Sequence, residues 1–169
     1  MAVLEIVKFP DPSLRLKAKP VQAFDQSLQK LIDDMFETLR AAPGVGLAAP
    51  QIGQSLRLVV IEYADEEKEN AKPKTYVLVN PEIIKTSEEM VMGSEGCLSL
   101  PGLAGDVERH ESVTVRAKNR HGQPMKITAR GWLARIFQHE IDHLDGVLYI
   151  DRAKNIYELT DEEMAELKD

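Results

Sequence analysis

Hydrophobic residues recur at helical spacing in two stretches of the chain. After Asp25, the apolar positions follow one another at intervals typical of one helix face: Leu28, Leu31, Ile32, Met35, Phe36 and Leu39. The pattern therefore predicts an amphipathic helix that is capped by Asp25 and ends at Pro43 and Gly44. The second stretch, residues 132–144, predicts a helix that ends at Gly146.

Two shorter helical segments are predicted nearer the ends of the chain. Asp11-Pro12 places an acidic cap before a proline, which is typical of the start of a short helical turn. Asp161 can cap a last short helix that runs through Leu167.

The middle of the chain is rich in branched and aromatic residues, which favour strands. Residues 56–61 and 76–79 are two such runs, and Asn80-Pro81 is expected to end the second. The next two segments, 82–85 and 90–92, are expected to pair with each other around Thr86-Ser87.

A hairpin is predicted further along. Residues 112–116 and 125–129 alternate between apolar and polar positions, and a turn-like segment separates them at 119–122. Strands beside a few helices predict an α+β fold, with mostly antiparallel sheets packed around the helix of residues 132–144. A long N-terminal helix and a short C-terminal helix complete it. No linker or repeat divides the sequence, so residues 1–169 are expected to form a single catalytic domain.

Composition narrows the class of protein. The chain has 169 residues, a formal net charge of −7 and one cysteine, which disfavours general binding to phosphate backbones and excludes an intramolecular disulfide. The apolar runs are too short for a secretory signal or a membrane span, so a cytoplasmic protein is expected. The acidic run at residues 65–69 is expected to be a solvated loop.

The run His139-Glu140-Ile141-Asp142-His143 carries the clearest chemical pattern. On a helix, His139 and His143 share a face, so both imidazoles can bind one metal ion. Glu140 then lies beside the ion, where it can take a proton from a bound water molecule. The run therefore indicates a metal-dependent hydrolase. The plainer interpretation is a pair of histidines on an amphipathic helix.

A catalytic metal site usually needs a third protein ligand. Acidic residues downstream offer one choice, although they lie in a polar segment that looks solvated: Glu158, Glu162, Glu163 and Glu166. Cys97 is the better candidate, within Glu95-Gly96-Cys97-Leu98-Ser99. Considered alone, a single cysteine is more often a small buried hydrophobic residue than a ligand.

The segment at residues 44–51, Gly-Val-Gly-Leu-Ala-Ala-Pro-Gln, follows the first long helix. Its two glycines allow an extended peptide to approach the backbone closely. Gln51 could present its amide N–H to a developing oxyanion. A glycine-rich turn without a function is the alternative.

These three segments together resemble the signature motifs of peptide deformylases. Residues 44–51, 95–99 and 138–143 occur in the family's order, and the similarity extends from residue 9 to residue 148. The resemblance implies a hydrolase that removes the N-formyl group from the N-terminal methionine of newly made polypeptides and releases formate. It also favours functional roles for Cys97 and for residues 44–51.

The resemblance implies a role for each motif residue. Three residues are implied as the metal ligands: Cys97, His139 and His143. A metal-bound water attacks the formyl carbon, and Glu140 acts as general base and then as general acid. The Gln51 side-chain amide and the Leu98 backbone N–H stabilise the oxyanion.

The resemblance also implies a methionine pocket and a site for the peptide backbone. The corresponding substrate-binding positions are Val45, Gly46, Gly96, Trp132, Arg135 and Ile136. The methylene stem of Arg135 is expected to form part of the pocket wall while its charge reaches solvent. Past Pro101, the chain lacks the arginine with which some deformylases bind peptide, and Arg109 is expected to pair with Glu95.

The implied cofactor is one divalent metal ion per chain. The resemblance favours ferrous iron in cells, with zinc, nickel or cobalt accepted in preparations, whereas the ligand types alone favour zinc. The implied partners are N-formylmethionyl nascent peptides, with no membrane and no specific nucleic acid. Any ribosome contact is expected to be transient and not to be made through a basic C-terminal helix, because the C-terminal segment is acidic where some deformylases carry such a docking helix.

Two other functions stay open at this point. A zinc endopeptidase would cleave internal peptide bonds and take a carboxylate or imidazole as its third ligand. A metal-stabilised or peptide-binding module would bind without hydrolysis.

Overall fold

A long amphipathic helix organises the N-terminal part of the computed structural model, which describes residues 2–42, 44–64 and 71–166. Helix α1 (Gln26–Ala41) begins where predicted, because the Asp25 side chain accepts a hydrogen bond from the Leu28 backbone N–H at 3.0 Å. The short 3-10 turn at Pro12–Arg15 is likewise capped by Asp11. The predicted helix caps at Asp11 and Asp25 are therefore both confirmed.

Eight strands in the described part of the chain form two antiparallel sheets. In chain order they are β1 (Gly46–Ala48), β2 (Leu58–Tyr63), β3 (Lys74–Thr86), β4 (Met90–Cys97), β5 (Leu100–His110), β6 (Ser112–Lys118), β7 (Pro124–Arg130) and β8 (Asn155–Glu158). The larger sheet has the order β1-β2-β3-β6-β7, and the smaller one has the order β4-β5-β8. The β6–β7 hairpin matches the prediction.

Strand β3 continues past the point where a proline was expected to end it. Asn80 has a φ of 52°, and the register with β6 shifts between Val79 and Glu82. The Asn80 side chain also exchanges hydrogen bonds with the backbone of Val21 at 2.8 and 3.0 Å. The strand thus accommodates Pro81, which lacks a backbone N–H, in a bulge and continues beyond it.

The expected pairing of residues 82–85 with 90–92 is wrong. Ile83 lies opposite Val115 of β6, and Met92 lies opposite Glu108 of β5. Strand β5 was not predicted, because Pro101, Gly102 and Gly105 give it a low strand propensity. The sequence pattern therefore did not indicate the strand that pairs with β4.

The second long helix lies where the two sheets meet. Helix α2 (Gly131–Leu144) packs Phe137, Ile141 and Leu144 into the hydrophobic core of the larger sheet. The chain turns away at Gly146, which has a φ of 75° and lies too close to the Arg15 carbonyl for a side chain. The predicted end of the helix is thus confirmed.

The C-terminal segment adds a short helix, a strand and a last helix. Helix α3 (Tyr149–Arg152) precedes β8, and α4 (Asp161–Glu166) follows it. The cap of α4 is one residue earlier than predicted, because Thr160 and Glu163 exchange hydrogen bonds at 3.1 and 3.2 Å. The predicted end at Leu167 and the acidic run 65–69 lie outside the described residues. None of the described helices is long and apolar enough to cross a membrane.

Candidate metal centre

Three side chains from two distant elements come together in the interior. Cys97 ends β4, whereas His139 and His143 lie one turn apart on α2. The ligand atoms of the three residues all lie within 4.8 Å of one another, and all three residues are buried. Cys97 Sγ is 3.4 Å from His143 Nε2. The structure thus brings together the three residues that were expected to act as ligands.

The chemistry of this cluster fits a divalent transition metal. One thiolate and two imidazoles suit zinc, iron or cobalt, and three protein ligands leave a coordination position for solvent. The alternative ligand Glu158 is exposed, as are Glu162 and Glu163. Among the residues with described side chains, the metal-binding group consists of Cys97, His139 and His143.

Burial keeps His143 in the form that a metal requires. Removal from water is the main reason why the pKa of His143 lies well below its usual value, and the neighbouring His139 and Arg109 lower it further. The imidazole is therefore neutral at physiological pH. A neutral imidazole is the form that coordinates a metal ion.

His139 is oriented by a buried carboxylate. Its Nδ1 donates a hydrogen bond to Glu95 Oε1 at 2.9 Å. A histidine that donates from Nδ1 coordinates a metal through Nε2, so the bond fixes the tautomer that a ligand needs.

Arg109 completes the environment of Glu95. Its Nε and Nη2 donate to the two Glu95 oxygens at 2.9 and 2.8 Å, which confirms the predicted pair. Although burial alone would raise the pKa of Glu95, hydrogen bonds from Arg109 and His139 hold it well below its usual range. Glu95 is therefore a permanent acceptor beside the candidate centre.

The sequence interpretation did not connect Glu95 with His139. Glu95 and Cys97 are two residues apart in β4, but the strand was predicted only over residues 90–92. The contact from Arg109 Nη1 to Asp142 Oδ2, at 2.7 Å, was also missed. Recognition of the whole strand would have placed Glu95 and Cys97 in one element, although the register with β5 shifts between these two residues.

The Glu95–Arg109 pair should show strong coupling in a double-mutant cycle. Each single alanine variant leaves a buried charge without its main partner, so we expect a coupling above about 0.5 kcal/mol in the free energy of unfolding. Urea denaturation of the metal-free protein measures it. The exposed pair Arg116–Glu82, at 3.1 Å, is the matched control and should show no measurable coupling. Equal values for the two pairs would contradict the prediction.

Glu140 is buried next to the candidate ligands. It follows His139 on α2 and is 1% exposed. A Cβ atom built on Gly46 would lie 2.6 Å from Glu140 Oε2, so only glycine allows β1 to approach the carboxylate this closely. The structure therefore places the Glu140 carboxylate directly against the backbone of β1, one residue after His139 in the chain.

Gln51 points its amide nitrogen towards the cysteine. Its oxygen accepts a hydrogen bond from the Ala48 backbone N–H at 2.9 Å, which orients the side chain. Its Nε2 donates to Ser99 Oγ at 3.2 Å and lies 3.5 Å from Cys97 Sγ. Leu98 lies in the turn directly after the cysteine. Both predicted oxyanion donors are thus close to the cluster.

The expected pocket positions belong to α2, to the segment around β1 and to β4. Val45, Trp132 and Ile136 belong to one hydrophobic cluster, and Gly46 and Gly96 are buried in β1 and β4.

The expectation that the charge of Arg135 reaches solvent is wrong. The residue is 5% exposed, and its Nη1 donates to Glu95 Oε2 at 2.6 Å. Arg135 also lines a cavity of about 190 Å³ with Val91, Met92, Gly93 and Trp132. The buried carboxylate provides the partner that residue type alone did not reveal.

Comparisons with known proteins identify the family of this chain. The family model for polypeptide deformylase matches residues 3–158. A peptide deformylase of Symbiobacterium thermophilum is 56% identical over 156 residues, which are 92% of this chain and 69% of the relative. The crystal structure of a peptide deformylase from Legionella pneumophila is 47% identical, with a TM-score of 0.81, and the match covers 98% of this chain and 90% of that one.

A third relative was crystallised with a peptide. The Acinetobacter baumannii peptide deformylase with Met-Ala-Ser bound is 39% identical, with a TM-score of 0.83, and the match covers 89% of this chain and 98% of that one. The antiparallel α+β architecture is therefore shared with solved deformylases. Matches of this extent show that the chain belongs to the peptide deformylase family and is an enzyme of that family.

Proposed function

We propose that this chain removes the N-formyl group from the N-terminal methionine of newly made polypeptides and releases formate. The observation that carries the proposal is the buried group of Cys97, His139 and His143, with Glu140 and Gln51 beside it. Family membership supports the same reaction. One catalytic domain of residues 1–169 would perform it in the cytoplasm.

The proposed cofactor is one divalent metal ion, held by the thiolate and the two imidazoles. We propose ferrous iron in cells and expect zinc, nickel or cobalt to bind in preparations. When bound, the ion would supply a Lewis acid that activates water and polarises the formyl oxygen. The protein residues would supply the ligands, the proton transfers and the remaining oxyanion donors.

Glu140 would carry the proton through the reaction. Its carboxylate takes a proton from the attacking water and then gives it to the leaving amine, so one residue serves as base and acid. The close backbone of β1 restricts the carboxylate on one side. The proton donor is thereby held in place between the two steps.

Gln51 and Leu98 would stabilise the negative charge that develops on the formyl oxygen. The hydrogen bond from Ala48 keeps the Gln51 amide in one orientation, with its N–H groups on the cysteine side. Such preorganised donors stabilise a transition state without reorganising during the reaction. The backbone N–H of Leu98 would act as the second donor.

Replacement of Gln51 by alanine should lower kcat for a formyl-Met-Ala peptide by roughly a hundredfold to a thousandfold, which is the usual cost of losing one oxyanion donor. Steady-state kinetics on metal-loaded protein measure the effect. Ser99→Ala provides the control, because Ser99 bonds to Gln51 without an expected contact to the formyl oxygen. A loss in Gln51→Ala no larger than in Ser99→Ala would contradict the role.

The expected pocket residues would make the remaining contacts to the substrate. Val45, Trp132 and Ile136 would surround the methionine side chain, and Gly46 and Gly96 would offer backbone groups to the peptide. The Acinetobacter baumannii relative with Met-Ala-Ser bound supports a site for a peptide that begins with methionine. Nascent formylmethionyl peptides are the proposed partners, and any ribosome contact would be transient.

One assay separates this function from its competitors. Formate release from a formyl-Met-Ala peptide is expected with metal-loaded protein and should disappear after chelation. A zinc endopeptidase would cleave internal peptide bonds of unformylated peptides instead. A binding module would bind the peptide without releasing formate, and either of these results would overturn the proposal.

A further inference from the structure

Arg135 is buried where α2 meets the hairpin of β4 and β5. Its Nη1 donates to Glu95 Oε2 at 2.6 Å and to the Val107 carbonyl at 2.8 Å, while Nη2 donates to the Val91 carbonyl at 2.6 Å. Its guanidinium carbon also lies 5.6 Å from the centre of the Trp132 ring. The guanidinium is thus fixed by contacts to both strands and to the carboxylate.

Gly93 provides the space for this guanidinium. A Cβ atom at position 93 would lie 2.7 Å from Arg135 Cζ, closer than real side chains approach. Because three short hydrogen bonds hold the guanidinium, it cannot shift without breaking at least one of them. Position 93 and position 135 therefore fit each other as a pair.

The contacts of Arg135 connect the two elements that carry the candidate ligands. Helix α2 supplies His139 and His143, and β4 ends at Cys97. Arg135 lies one turn before His139 on the helix and bonds to β4 and β5 on the other side. Its side chain therefore helps to set the distance between the helix and the strand.

Arg135 also completes the ring of donors around Glu95. Oε2 accepts from Arg109 and Arg135, whereas Oε1 accepts from Arg109 and His139. With Oε2 held by two arginines, the carboxylate has little freedom to rotate. The oxygen that accepts from the histidine is fixed in consequence.

We infer that Arg135 is a positioning residue of the metal centre rather than a wall of the methionine pocket. It holds Glu95, which orients His139, and it holds the strand of Cys97 against α2. The inference rests on the metal centre of the proposed function and does not require that the substrate be a formylated peptide.

Metal binding tests the inference directly. Arg135→Met keeps the methylene stem and removes every hydrogen-bond donor, whereas Arg135→Lys keeps the charge. Titration of metal-free protein with Co²⁺ under anaerobic conditions gives the affinity, and the absorption bands of the cobalt–thiolate complex report ligand geometry. We expect Arg135→Met to bind Co²⁺ roughly 10- to 100-fold more weakly, with shifted bands, as is typical when support behind a ligand is lost. Arg135→Lys should restore part of the affinity.

A variant at position 93 tests the role of Arg135 independently. Gly93→Ala should displace the guanidinium and weaken Co²⁺ binding in the same direction. The double variant Gly93→Ala/Arg135→Met should bind no more weakly than the weaker single variant, because both changes break the same contacts. Independent, multiplying losses would contradict the link between the two positions.

Arg57→Met is the matched structural control. Arg57 Nη1 donates to the Leu144 carbonyl and to Asp145 Oδ1, both at 3.0 Å, so it supports the end of α2 without contacting Glu95. This variant should lose stability to urea while its Co²⁺ affinity and spectrum stay unchanged. If Arg57→Met shifts the cobalt bands as much as Arg135→Met, general destabilisation explains the effect and the inference is overturned.

The KM for formyl-Met peptides distinguishes a positioning role for Arg135 from a role in the substrate pocket. If Arg135→Met leaves Co²⁺ affinity and spectrum unchanged but raises KM for formyl-Met peptides, the residue belongs to the substrate pocket and the inference is overturned. Wild-type protein that binds Co²⁺ but releases no formate would overturn the proposed function alone. The two failures therefore give different results.

Discussion

Glu140→Ala is expected to lower kcat for a formyl-Met-Ala peptide by roughly a thousandfold or more, while the metal ion stays bound. General acid–base catalysis by a positioned side chain contributes about a hundredfold to ten-thousandfold, and here one residue serves two proton transfers. Its loss should therefore cost more than the loss of Gln51. Metal analysis of the purified variant, beside steady-state kinetics, measures both parts of the prediction.

Two further variants make the result specific. Glu140→Gln keeps the shape of the buried side chain but accepts no proton, so it should be as inactive as Glu140→Ala. Glu158→Ala removes an exposed glutamate outside the metal centre, and the activity of this variant should equal that of the wild type. Near-normal turnover in Glu140→Ala with a full complement of metal would rule out the residue as the base.

Cys97→Ala is expected to abolish activity by a different route, through loss of the metal ion. With one of three protein ligands removed, affinity should fall by roughly a thousandfold or more, since the binding free energy of such sites is shared among few ligands. Equilibrium dialysis with Co²⁺ or Zn²⁺ measures the affinity. Activity should fall to background at metal concentrations that saturate the wild type.

Stability provides an independent readout for the same variant. A metal that binds only the folded protein raises its melting temperature, so the wild type should melt higher with metal than without it. Cys97→Ala should show little or none of this increase. Its melting temperature without metal should stay near that of the metal-free wild type, because the small thiol contributes little packing. A variant that retains one tightly bound ion per chain would show that another residue completes the site.

The helices and the histidine pair could be predicted from the sequence because their signals are local. The spacing of residues after Asp25 and the five-residue run from His139 to His143 need only the geometry of one helix. The sequence alone made Cys97 only the better of several candidate ligands, and the resemblance to a family was needed to favour it, since a lone cysteine is more often a buried hydrophobic residue. The pairing of β4 with β5 was missed because glycines and a proline interrupt β5.

Arg135 shows why the rest of the site could not be predicted. Position and residue type suggested a long side chain with its charge in water, which is the usual arrangement for arginine. The partner that reverses this expectation, Glu95, lies 40 residues earlier in the chain. Only the tertiary structure brings such a carboxylate to the helix, and neither periodicity nor local composition contains that information.

The origin of the proposed ligands in two distant segments has a consequence for the time at which the enzyme becomes competent. Cys97 and His143 are 46 residues apart in the chain. At typical rates of protein synthesis, the ribosome needs roughly two to nine seconds to add the second after the first. Until then an unfinished copy has the thiol but lacks at least one of the two histidines, so it cannot assemble the centre. A copy of this enzyme that is still being synthesised is therefore expected to be inactive towards any nascent chain, including its own.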